Sequence, residues 1–203
     1  RSSGSGGAVH TELGRLPWAY WLPWILTVSI IGLEFFVVVW GGTLVAAQTG
    51  VSLADATLTI SAFIGGMIAG RAVMSLGVTG RIEGMRIIRG GLVLTFVAVL
   101  VVWWSGSWWL SAAAMAVSGF GVGILYPPAA AIALGAAPEA PAAASARLVL
   151  AAGLAILVAP LLLGVIAELT DIASAWLLVP AACVAVALLS VPVDRARRAR
   201  EAK

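Results

Sequence analysis

Long apolar runs, separated by short polar or charged breaks, make up most of this chain. Charge-poor stretches cover residues 16–33, 35–54, 56–70, 90–138, 148–167 and 172–193. Crossing the hydrocarbon of a bilayer takes about 20 helical residues, so these runs read as membrane spans rather than soluble core helices. The run 90–138 is too long for one span. Ser105-Gly106-Ser107, flanked by Trp103-Trp104 and Trp108-Trp109, divides it. Paired tryptophans on both arms of a tight turn suit the headgroup layer. The pattern predicts an all-α membrane protein with six transmembrane helices, over 21–46, 56–77, 87–104, 108–135, 148–167 and 173–193. These boundaries are good to about 2–4 residues.

Charge then gives the spans a direction. Arg1 and Arg15 precede the first span, and Arg81, Arg86 and Arg89 lie between the second and third. Arg147 lies between the fourth and fifth, and Arg195, Arg197, Arg198, Arg200 and Lys203 follow the sixth. The other three loops hold Asp55, Glu168 and Asp171. By the positive-inside rule both termini are expected in the cytoplasm. Residues 1–16 read as a cytoplasmic linker, 17–193 as the six-helix domain and 194–203 as a basic cytoplasmic tail. The polar opening Arg1-Ser2-Ser3-Gly4-Ser5-Gly6-Gly7 suggests that the chain continues from something else. Trp18, Tyr20, Trp21 and Trp24 are expected to form an aromatic belt on the inner side, and Trp176 to join the outer one. The net charge of +3 is carried by loop and tail arginines that meet lipid headgroups, which excludes a nucleic-acid partner.

Glu34 breaks the pattern. It stands near the middle of the first span, with no other charge between Arg15 and Asp55. Burying a carboxylate at that depth costs about 2.5–3.5 kcal/mol on insertion scales, so Glu34 must face protein or water. It is either protonated or ionised against a cationic partner. A group that switches between those states can couple a proton to transport; a fixed hydrogen bond across a helix interface is the alternative. Arg71 lies near the end of the second span. Measured from the cytoplasmic ends, Glu34 is deeper by about 9–10 Å, so Arg71 is expected to snorkel to the interface rather than pair with it. Ser111 and Ser118 share a helical face and either line a cavity or bond back to their own helix. Gly121 and Tyr126-Pro127-Pro128 mark a flexible or kinked point in the fourth span. Gly66-x-x-x-Gly70 and Gly119-x-x-x-Gly123 allow close helix approach. The one histidine, His10, lies in the polar leader, and the one cysteine, Cys183, lies in the last span. A membrane Ser–His pair, a metal site and a haem site are therefore all excluded, and no enzyme and no cofactor is expected.

These residues also carry a likeness. Ser118 through Pro128 resembles the glycine-rich, proline-ended tenth helix of major facilitator superfamily transporters. Gly153 through Pro160 to Gly164, with Glu168 and Asp171 after it, is similar to the penultimate helix and outer loop of that family. Gly80, Arg81 and Arg86 match the basic part of its loop signature, but its aspartate is missing here. The resemblance implies the C-terminal six-helix half of a secondary transporter, working with a second six-helix half on the same or another polypeptide. It implies alternating access to a small-molecule substrate, with protons coupled through Glu34 and cationic, drug-like substrates suited to a lone carboxylate. The expected setting is a lipid bilayer, as a multi-pass plasma-membrane protein of the bacterial inner-membrane kind. The alternative is a six-helix scaffold or assembly subunit without transport of its own.

Overall fold

The computed structural model describes residues 16–77 and 82–202. Most of the leader, with His10, and the loop residues Gly80 and Arg81 lie outside them. Eight helices follow in chain order: α1 (Trp18–Thr49), α2 (Leu53–Ser75), α3 (Gly84–Trp104), α4 (Trp108–Gly123), α5 (Tyr126–Gly135), α6 (Pro141–Leu169), α7 (Ile172–Trp176) and α8 (Leu178–Glu201). Two pairs are single spans with a break, at Ile124–Leu125 and at Leu177, so six helical stretches are long and apolar enough to cross a membrane. The 108–135 span is therefore two helices rather than one. The last helix does not stop at 193 but runs to Glu201, so most of the expected tail is helical.

Local chemistry explains the ends. Ser52 caps α2, its Oγ accepting from the Asp55 N–H at 3.1 Å. Gly50 closes α1 with φ of 70°, a left-handed backbone that glycine adopts without strain. Asp171 caps α7 through Oδ1, which accepts from the N–H groups of Ala173 and Ser174. Hydrogen bonds from the Ser174 hydroxyl and then the Ser174 N–H hold its carboxyl below the usual range. Pro127, in the first turn of α5, has no N–H to give the α4 ladder, and the helix breaks just before it.

α1 is the central column. Leu26, Leu33, Val37, Leu44 and Val45 are fully buried on it, and α2, α5, α6 and α8 surround it. α6 meets α1 through Ala144, Leu148, Ala151, Ala155, Ala159 and Leu163, a narrow stripe of mostly small residues at helical spacing. Trp40 spans the same interface. Its Nε1 donates to the Pro160 carbonyl at 2.9 Å, and its ring fills the space that Gly164 leaves.

The tightest contact is between α2 and α4. Side-chain atoms added at Gly66 or Gly119 would overlap the backbone at Ala116 or Phe63 of the opposite helix. A Cβ on Gly70 would sit 2.6 Å from the Phe120 carbonyl oxygen. Both glycine pairs thus serve one interface. Gly121 packs in the other direction, against Gly91 and Thr95 of α3, so it is a packing residue rather than a flexible one.

Tryptophans act as fasteners at the helix ends. Trp103 donates to the Ala173 carbonyl at 2.8 Å, Trp108 to Asp55 at 3.0 Å and Trp24 to Arg147 at 3.0 Å. Trp18, Trp104 and Trp109 stay exposed, as belt residues should. Two expected belt members are core instead. Trp176 is fully buried and donates to the Val99 carbonyl at 3.1 Å, and Tyr20 is fully buried and donates to the Ala144 carbonyl at 2.7 Å. Each finds a backbone carbonyl for its polar atom, so burial leaves it satisfied.

Gly119→Leu is expected to force α2 and α4 apart, costing at least about 2 kcal/mol. Gly153→Ala, where an added Cβ meets nothing within 4 Å, is expected to leave stability unchanged. Monodisperse protein remaining after heating in detergent distinguishes the two. Equal losses would show that the glycine interface does not hold the bundle.

Candidate functional site

Glu34 sits at the middle of α1 and is half-buried, flanked along the helix by the buried residues Ile30, Ile31, Leu33 and Val37. Its partner is Arg71 of α2, whose Nη2 donates to Glu34 Oε2 at 3.4 Å. This corrects the expectation that Arg71 snorkels away. The two residues are better measured from the turn they share. Counted back from Thr49 and forward from Leu53, they differ in height by only about 5 Å, well within the reach of an arginine side chain. The ends of α1 and α2 away from that turn are not level, which is why measuring from there misplaces them.

The rest of α2 shows which way the pair faces. Ala56, Thr59, Ile60, Phe63, Met67 and Gly70 form its buried face. Thr57, Ser61, Ile64, Ile68, Arg71 and Ser75 recur at helical spacing on the opposite side, and all are exposed. Arg71 thus belongs to a partly polar stripe on an unpartnered face, with Glu34 tucked beside it. A charged pair that joins the middle of α1 to the open face of α2 needs water or a further protein surface, because lipid alone cannot solvate it.

Several expected site residues lie elsewhere. Ser111 and Ser118 do share a face of α4, but both are fully buried, and neither hydroxyl has a hydrogen-bond partner among the described residues. They line no open cavity and do not bond back to their helix. Tyr126 is exposed and Pro127 half-buried, at the break where α4 gives way to α5. A cavity of about 630 Å³ opens beside that break, between α1, α3, α5 and α8, with Pro23, Pro128, Ile132 and Arg200 in its walls. A second, apolar groove of about 390 Å³ runs over α1 between α6 and α8. Glu34 and Arg71 line neither of them.

A second group of charges was missed by the sequence reading. Asp194 is buried near the end of α8 and accepts from Arg89 at 3.1 Å, Arg197 at 3.1 Å and Arg198 at 3.2 Å. Glu83, at the start of α3, accepts from both Arg197 and Arg198. Arg89 also donates to Ser190 at 3.3 Å. This network ties the start of α3 to the end of α8. Arg86, placed in the loop signature, is exposed and reaches Glu83 only at 3.7 Å. The helical spacing of Asp194 to Arg197 and Arg198, at i+3 and i+4, was the available signal. Its partner on α3 had none. Among the described residues no group of histidine, cysteine, aspartate or glutamate side chains is placed to hold a metal ion.

Asp194→Ala is expected to cost about 2–4 kcal/mol, because three guanidiniums lose their shared acceptor around a buried position. Arg86→Ala is expected to cost less than about 0.5 kcal/mol. Melting of the two variants in detergent compares them, and similar midpoints would refute a structural role for the network.

Residues 14–203 match the profile of a protein family described as the Major Facilitator Superfamily. No curated protein matches the chain.

Proposed function

Because the chain belongs to the major facilitator superfamily, we propose that its six spans form one half of a secondary transporter that moves a small solute by alternating access, with a proton coupled through Glu34. The observation that carries this reading is the pairing of Glu34, at the middle of α1, with Arg71 on the open, partly polar face of α2. An ionisable pair at that depth is costly and serves best where access to water changes. The faces that would meet the other half are those of α2 and α6. The α6 face is uniformly apolar, with Leu150, Leu154, Leu157, Leu161 and Val165 exposed. A second six-helix half, on this or another polypeptide, would cover both faces and enclose the pair between the halves.

In this reading the arginine-rich end faces the cytoplasm, as the positive-inside rule requires, and the protein sits in a plasma membrane of the bacterial inner-membrane kind. The Pro127 break beside the 630 Å³ cavity supports a bend at that end during the cycle. The case for cationic, drug-like substrates rested on a lone carboxylate, and the guanidinium at 3.4 Å removes that premise. A scaffold without transport is disfavoured by the same stripe. An apolar assembly surface has no use for Ser61, Arg71 and Ser75 on its outer face.

Ser61→Cys in a Cys183→Ser background tests the reading without a known substrate. Labelling by a membrane-impermeant maleimide is expected to change with pH, and to become independent of pH when Glu34→Gln is added. Labelling that is constant at every pH in the Glu34 protein would rule out a proton-driven change of access and favour the scaffold.

A further inference from the structure

The two partners of the mid-helix pair are unequally exposed. The Arg71 side chain is 48% accessible and the Glu34 side chain 17%. The carboxylate lies behind the guanidinium, against α1, so a solute approaching the open face of α2 meets a cation first. The pair is also incomplete. One nitrogen, Nη2, reaches one oxygen at 3.4 Å, and no other described residue accepts from Arg71. A guanidinium carries five N–H donors in a planar fork, and most of them are unspent here. That fork matches the oxygens of a carboxylate, sulfonate or phosphate in a two-point contact, which a single distant carboxylate oxygen does not supply. On the same face Ile68 and Ser75 lie about one turn away, Ile64 about two and Ser61 nearly three, offering apolar surface and hydroxyls.

We propose that Arg71 is the substrate-binding, specificity-determining residue of the transport site, and that the site takes small organic anions bearing a carboxylate, sulfonate or phosphate group. This rests on the transporter reading above and narrows it to a substrate class. Ionised Glu34 competes with the substrate for the same guanidinium. When Glu34 takes a proton on its carboxylate, that competition ends and Arg71 turns its full charge to the incoming anion. Proton and monoanion then cross together with no net charge moved. Among the described residues, α4 and α7 carry no titratable side chain, and α6 carries Arg147 and Glu168 near its two ends. Arg89 of α3, Tyr126 of α5 and Cys183 of α8 are not paired with Glu34. Arg71 is thus the charge that responds to it.

The test uses two permanently charged probes of similar shape, benzenesulfonate and benzyltrimethylammonium, so that pH acts on the protein alone. Binding is read as the shift in melting temperature of the purified protein in detergent. Benzenesulfonate is expected to stabilise the protein, more strongly at acid than at alkaline pH, and benzyltrimethylammonium to do nothing. Arg71→Gln is expected to weaken the anion by at least about tenfold, as the loss of a charge-assisted pair implies. Arg71→Lys, which keeps the charge without the fork, should fall between. Glu34→Gln should bind benzenesulfonate with its pH dependence gone, and its own melting without ligand checks that it is folded. Stabilisation by the cation, by neither probe, or by the anion as strongly in Arg71→Gln as in the unaltered protein overturns the assignment. If position 61 still alternates with pH in that case, transport stands and only the substrate class falls. If position 61 is static, the transporter reading falls independently of the probes.

Discussion

The glycine faces of α2 and α4 set the geometry on which the rest of this bundle depends. Inside a bilayer there is little hydrophobic gain from pressing one apolar helix on another, so close approach has to come from shape. Gly66 and Gly70 on one helix and Gly119 and Gly123 on the other remove the side chains that would hold the backbones apart. The contact is reciprocal, with each helix's glycines meeting the other's main chain. It therefore fixes rotation about the axis as well as distance. Once α2 is turned to present its glycines to α4, its opposite face can only point outward. That face carries Ser61, Arg71 and Ser75. Packing chemistry on one side of α2 has decided where the polar stripe on the other side must lie.

Height is the second constraint, and it explains the pairing of Arg71 with Glu34. The short turn between Thr49 and Leu53 keeps α1 and α2 level at one end. It is braced there by Trp108 donating to the Asp55 carbonyl and by the Gln48 amide donating to Trp103. Residues equally far from that turn must meet across the interface, and these two nearly do. Their distances from the other helix ends are irrelevant, because α1 and α2 overhang differently there.

Much of this fold was legible as runs of apolar residues and their charged breaks, since the bilayer imposes length directly. What stayed hidden was which way each helix faces. A span that is apolar all round has almost no amphipathic signal, so periodicity cannot say whether Ser111 and Ser118 look into a cavity or into the packed core. They look inward. Tryptophan is ambiguous for a related reason, being suited both to the interface and to a core with one free carbonyl. Trp176 and Tyr20 went to the core because the backbone carbonyls of Val99 and Ala144 were there to accept from them, and no sequence spacing reveals that. The ion network failed to show for want of local signal on one side only. Asp194 has its arginines one turn on, whereas Arg89 reaches Asp194, and Glu83 reaches Arg197, from more than a hundred residues away.

The Asp194 network and the Glu34–Arg71 pair differ in a way that suits them to different work. Asp194 is buried and shared by three guanidiniums, with Glu83 holding two of them from the other side. Removing a proton partner or adding one there would break several bonds at once, so that network behaves as a weld between α3 and α8. Among the described residues Glu34 has a single partner, at a single long contact, on an open face. Little is lost when that contact opens, and the freed guanidinium faces outward. A carboxylate tied many ways holds a shape. One tied once, beside an exposed fork of donors, can exchange its partner, and such an exchange is what the proposed coupling of proton to solute requires.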